Sequence, residues 1–155
     1  MSQDKERENF NYLLQDLLHH EEVLKMKSFI QHGTMTTYEH AVNVAWTSYR
    51  ISRRLRLKVD ERSLLRGALL HDFYLYDWHV RDEGRKRFHG FHHHRTAHEN
   101  AMKHFRLNPI EEDIILKHMW PLTVKFPRYR ESLVVTLADK ICSIMDTLGL
   151  DTPQK

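Results

Sequence analysis

Apolar positions along the chain fall into a helical rhythm. Phe10, Leu13, Leu14, Leu17, Leu18 and Leu24 recur mainly three and four apart and predict an amphipathic helix over residues 10–24. After Gly33, Thr36 and Thr37 offer N-cap oxygens, and Ala41, Val44, Ala45, Ser48, Ile51 and Leu55 extend a second helix over 37–57. Asp60 caps a third, which carries Leu64, Leu65, Ala68 and Leu69 and ends around His71 and Asp72. Asn108, Pro109 and Glu111 supply a cap residue, a proline at the first helical position and an acid behind it. The helix they open carries Ile110, Ile114 and Ile115 and should end near His118, before Pro121. A last helix over 130–148 sets Leu133, Leu137, Ile141, Ile144 and Leu148 on one side, with Gly149 as its stop.

Residues 77–94 break the rhythm. They mix charges, aromatics, glycines and histidines, and are read as a long loop, a length that goes with function or disorder inside a compact domain. A short helix over 95–105 should follow. No repeat or linker divides the chain, so the expectation is an all-α, single compact domain of about six helices.

Composition fits that layout. The chain has 155 residues, 41% of them hydrophobic and 29% charged, as in one globular domain able to bury a core. Five glycines and four prolines leave few break points, which favours long helices over a sandwich or barrel. The 24 basic side chains are nearly matched by 21 acidic ones, so a net charge of +3 says little about a nucleic-acid partner. The lone Cys142 reads as a buried thiol in a reducing compartment. No apolar run approaches the ~20 residues of a membrane span, so a cytoplasmic location and no membrane partner are expected.

The 13 histidines exceed what packing or solubility requires, and imidazole is the commonest metal ligand. His71 and Asp72 close the third helix directly after an apolar run; the imidazole suits the negative helix end, but the carboxylate wants a compensating cation. His40 shares a face with Val44, Thr47 and Ile51, and His118 closes its own helix. Asp139 stands in the last helix, four residues after Val135 and three before Cys142, where an acid needs a partner. Each alone is more often a satisfied boundary residue. Their joint occurrence points to a metal.

These residues resemble the HD-domain superfamily of metal-dependent phosphohydrolases, whose pattern is a His, a His-Asp doublet and an Asp on separate helices. The match is His40 in Thr37-Tyr38-Glu39-His40-Ala41, His71-Asp72 after Gly67-Ala68-Leu69-Leu70, and Asp139 in Leu137-Ala138-Asp139-Lys140. The resemblance implies an HD-type domain with its core from about residue 30 to 148, and a metal held by His40, His71, Asp72 and Asp139. Relatives that bind two metals use further histidines between the doublet and the last Asp. His118 resembles one, and His93, in His92-His93-His94-Arg95 just ahead of a helix, resembles the other. His89, His92, His94 and His98 stand close enough to take the place of His93, and relatives often carry a proline where this chain has His94.

Such donors suit one or two divalent transition-metal ions, Mn, Fe, Ni, Co or Zn, with Mg a poorer fit. These ions lower the pKa of bound water and hold phosphoryl oxygens. With two ions, Asp72 is the natural bridge; His40, His71 and Asp139 complete one and His93 and His118 the other. Lys140, or Arg81, Arg85, Lys86 and Arg87 in the loop, could offset phosphoryl charge. Asp77 is a candidate general acid or water-orienting group, or else a turn former. The expected activity is hydrolysis of a small phosphorylated substrate, a phosphate monoester or a nucleotide. Two other functions compete. One is a di-iron oxygenase on the same scaffold. The other is a nucleic-acid or regulatory binding module using Arg53, Arg54, Arg56, Lys58 and residues 85–95. No helix-turn-helix or RNA-binding signature accompanies that basic run, so no nucleic-acid partner is expected; the oligomeric state is not legible.

Overall fold

The computed structural model describes residues 3–77, 79 and 89–150. Among these, seven α-helices surround one core: α1 (Gln3–Leu18), α2 (Glu21–Leu24), α3 (Thr37–Arg54), α4 (Glu61–Leu70), α5 (His89–His104), α6 (Pro109–Lys117) and α7 (Arg130–Thr147). A 3-10 turn (Lys25–Ser28) and a small antiparallel hairpin, β1 (Ile30–His32) and β2 (Met35–Thr36), join α2 to α3. No helix among the described residues is long and apolar enough to cross a membrane.

The caps read from the sequence operate as expected. Thr36 accepts from the Glu39 amide while the Glu39 carboxylate accepts from the Thr36 amide, and Asn108 and Glu111 do the same at the start of α6. Asp60 accepts from the Ser63 amide at the start of α4.

Two expectations need correction, and the direction of one apolar stripe is a new finding. The predicted helix over 10–24 is two helices, because His20 adopts an extended backbone and caps a new turn with Nδ1 accepting from the Glu22 amide. Helix α5 begins at His89, well inside the segment read as a loop, so the histidine cluster is helical. The apolar side of α7 faces out: Leu133, Leu137, Ile141, Ile144 and Leu148 are exposed, while Val135, Ala138, Asp139, Cys142 and Asp146 are buried. An apolar stripe ordinarily marks the buried face of a helix. Here that face is given over to chemistry.

Helix α3 lies against α4 and α7, and α4 against α6. Leu64, Leu65, Leu69 and Leu70 of α4 are fully buried, as are Ile114 and Ile115 of α6 and Tyr49 of α3. Gly67 sets the spacing between α4 and α6: a Cβ there would stand 2.5 Å from Ile114 Cδ1. A side chain there would have to push Ile114 aside, and the close approach sets the C-terminal ends of the two helices side by side, with the His71 and His118 rings 4.8 Å apart. Asp113 secures the entry to α7 by accepting from the Arg128 and Tyr129 amides and the Ser132 hydroxyl.

Candidate metal centre

His71 follows the last residue of α4 and His118 that of α6, and both use the same local device. His71 Nδ1 lies 2.6 Å from the carbonyl of Ala68, and His118 Nδ1 lies 2.9 Å from that of Ile115. A carbonyl only accepts, so each Nδ1 carries the hydrogen and each Nε2 is the nitrogen turned inward, open to a proton or an ion. His40, fully buried on α3, is oriented from α7: its Nδ1 lies 2.7 Å from Asp146 Oδ2, and its Nε2 lies 3.0 Å from Asp139 Oδ1. A carboxylate behind an imidazole is a common orienting partner for a metal-binding histidine.

Asp72 stands in the middle, and its two oxygens face different groups. Oδ2 lies 3.3 Å from His71 Nε2 and 4.0 Å from His40 Nε2. Oδ1 lies 3.2 Å from His93 Nε2 and 3.5 Å from His118 Nε2. Gln31 on β1 donates to Oδ2 at 2.7 Å, and its own carbonyl accepts from the Tyr74 and Thr37 hydroxyls. Three overlapping sets therefore bring ligand atoms within 4.8 Å of one another: His40, His71 and Asp72; His71, His118 and Asp139; Asp72, His93 and His118.

The donors are arranged as a cation would require. His71 Nε2 and Asp72 Oδ1 are buried without a hydrogen-bond partner. His93 Nε2 and His118 Nε2 lie only 3.0 Å apart. Converging lone pairs of this kind are costly unless a proton or a metal ion sits among them. Protons serve in the metal-free chain. Burial opposes charge on His40, but hydrogen bonds to Asp139 and Asp146 outweigh it and raise its pKa to about 9. His71 is likewise raised well above 6.5, burial being outweighed by Asp72 and Asp139. Despite burial, Asp72 is held well below the usual carboxylate range by His71 and His93, and Asp139 is lowered by His40 and His71. Burial lowers His118, which stays a neutral donor. Four imidazoles and two carboxylates fit a borderline divalent transition metal better than Mg.

All six residues singled out as ligands converge: His40, His71, Asp72, His93, His118 and Asp139. His93 does so from within α5 and not from a loop ahead of it. Its alternatives lie elsewhere: His98 pairs with Glu112 at 3.2 Å, and His92 and His94 belong to none of the three sets. His94 is buried, and its pKa is lowered to about 4 by desolvation and by His118 and His93. The side chain of His89, and Arg81, Arg85, Lys86 and Arg87, lie outside the described residues. Asp77 is half exposed and shapes its own turn by accepting from the His79 amide at 2.9 Å. Lys140 does face the centre, with Nζ 3.4 Å from the carbonyl of His118.

Gln31, Tyr74 and Asp146 were not singled out from the sequence. Asp146 had a signal: it follows Asp139 by seven residues, two helical turns on the same face of α7. Gln31 had none, since its partner is 41 residues away. A cavity of about 1030 Å³ opens beside the cluster, walled by β1, α7 and Met119, Pro121 and Leu122.

An all-helical fold with histidines and aspartates converging from five elements defines a candidate metal-binding protein. The HD domain family model matches residues 37–148, and the chain belongs to the HD domain family, whose members are mostly metal-dependent hydrolases. The comparisons with curated proteins and with solved structures gave no match.

Proposed function

We propose that the chain is a metal-dependent phosphohydrolase acting on a small phosphate ester, a monoester or a nucleotide. The observation that carries this is Asp72, whose two oxygens face two separate sets of imidazole Nε2 atoms. His40, His71 and Asp139 would hold one ion, His93 and His118 a second, with Asp72 between them. Bound there, divalent ions supply an acidified water and Lewis acidity toward the phosphoryl oxygens.

The chain's own residues do the rest. Asp146 fixes the His40 ring, and the Ala68 and Ile115 carbonyls fix His71 and His118, so their donors are set before substrate arrives. Gln31 restrains the Asp72 carboxylate through Oδ2. Lys140, half buried at the cavity wall, offers a cation for charge that builds on phosphoryl oxygens. Near-complete burial of the ligand atoms strengthens each of these interactions relative to water.

Elemental analysis of the wild-type chain beside His71→Ala and Asp72→Ala, followed by a phosphatase panel with added Mn²⁺, tests the proposal. One or two ions per chain, lost in both variants together with phosphatase activity, is the expected result. A folded wild-type chain that takes up no metal when supplied with it would sink the idea.

A further inference from the structure

The cavity beside the cluster is divided into two chemically different ends. Asp72, His93, His118 and Asp139 form its inner end. The other polar side chains on its wall are drawn to that end as well. Gln31 is committed through both amide atoms, Ser143 Oγ lies 3.4 Å from Asp139 Oδ1, and Lys140 reaches the His118 carbonyl. His32 sits against the His40 ring, with centroids 5.7 Å apart.

Among the described lining residues, those that remain are apolar: Met119, Pro121 and Leu122 after α6, and Ile144 on α7. Leu122 is 49% exposed and Ile144 61% exposed. Apolar surface left open at a concave site next to ligand-binding atoms marks a place where a ligand excludes water. The volume of about 1030 Å³ is far more than a phosphoryl group fills and lies at the upper end for small-molecule sites. Among the described lining residues there is no Phe, Tyr or Trp ring on which a nucleobase could stack. Gln31, the carboxamide among the described lining residues, is engaged at both amide atoms, and a sugar hydroxyl laid on these four apolar side chains would lose water and meet no polar side-chain atom of theirs.

We propose that the ester cleaved is that of a hydrocarbon alcohol, alkyl or aryl, with its phosphoryl group at the ligand end and its carbon chain along Met119, Pro121, Leu122 and Ile144. This rests on the phosphohydrolase function proposed above and narrows its substrate class. Full burial of a methylene strengthens binding about fourfold. Along a wall open on one side, roughly threefold per methylene is expected, so butyl should exceed methyl by about thirtyfold.

Non-hydrolysable methyl-, butyl- and octylphosphonate, with a glycerol-like polar phosphonate of butyl size, are titrated calorimetrically into the full chain supplied with Mn²⁺. Affinity that climbs with chain length, and a polar phosphonate no tighter than methyl, are the expected results. Ile144→Asn and Leu122→Asn should shrink the butyl-to-methyl ratio severalfold, with metal content and methylphosphonate binding retained. A flat series, a polar phosphonate as tight as butyl, or no binding of any phosphonate overturns the proposal. Metal content and phosphatase activity on the same samples decide separately whether the chain is a metal-dependent phosphohydrolase.

Discussion

Loading the centre with a divalent ion should expel protons, and their number follows from the imidazoles. With a pKa of about 9, His40 is about 99% protonated at pH 7 in the metal-free chain. His71, raised well above 6.5 by Asp72 and Asp139 against the pull of burial, also holds a proton there. An imidazole cannot bind an ion through Nε2 while a proton occupies it. Their Nδ1 protons stay where Asp146 and Ala68 hold them, so each ring releases close to one proton, and His118, already neutral, releases none. An ion held by both His40 and His71 should therefore release about two protons at pH 7. Its apparent affinity should rise by about two orders of magnitude per pH unit around pH 7, and the share of that slope due to His40 should end as that ring titrates near pH 9.

Stability should follow the same titration with opposite sign. A pKa raised on folding stabilises fully below the unfolded value of 6.5, and that contribution is lost as pH rises through the folded value of about 9. For His40 it amounts to about 3 kcal/mol. The metal-free chain should weaken between pH 6.5 and 9, while the Tm gain from metal grows over the same window. Calorimetric titration in buffers of different ionisation enthalpy, with melts in and out of Mn²⁺, measures both. Release below about half a proton per ion at pH 7, or a metal-induced Tm gain that is flat or shrinks with pH, would refute the reasoning.

Two further outcomes are expected. Gly67→Ala pushes a methyl group onto Ile114 Cδ1 and should cost about 1–3 kcal/mol; Ile114→Val in the same chain removes that Cδ1 and should recover part of the Tm, whereas a single variant melting like wild type would show that the helices are free to part. Cys142 is buried, and desolvation raises its thiol pKa to about 11, so it should resist thiol reagents at pH 8 until the chain is denatured; modification at the rate of a free thiol in the native state would contradict its placement.

Much of this architecture is local and was therefore legible. Thr36, Asp60 and Asn108 announce helix starts because a capping side chain bonds amides two or three residues ahead. His71 and His118 could be placed at helix ends because the apolar run stops before each of them, with Pro121 beyond His118. Helix α5 was missed at its start because its first turns are mostly histidines, with no apolar rhythm to betray them. The outward side of α7 was legible as a stripe but not in its direction, since only the fold shows that Asp139 and Asp146 claim the inner face. The β-hairpin escaped because each of its strands is three residues or fewer, although Gly33 at its turn takes φ +56°. The partners of the ligands were least legible of all. Asp146 meets His40 across 106 residues, a pairing that no local pattern encodes.

The three imidazoles tethered at Nδ1 have a consequence for ion exchange. Ala68, Ile115 and Asp146 freeze the ring orientations of His71, His118 and His40 as part of folding. Ordering a side chain at a binding site otherwise costs about 0.5–1.5 kcal/mol, and at these three that cost is met before any ion arrives. An ion bound by these three rings would therefore meet donors whose orientation is already set. One metal should then replace another without reorienting these rings, and preference among Mn, Fe, Ni, Co and Zn should fall to how each ion's radius and geometry suit them.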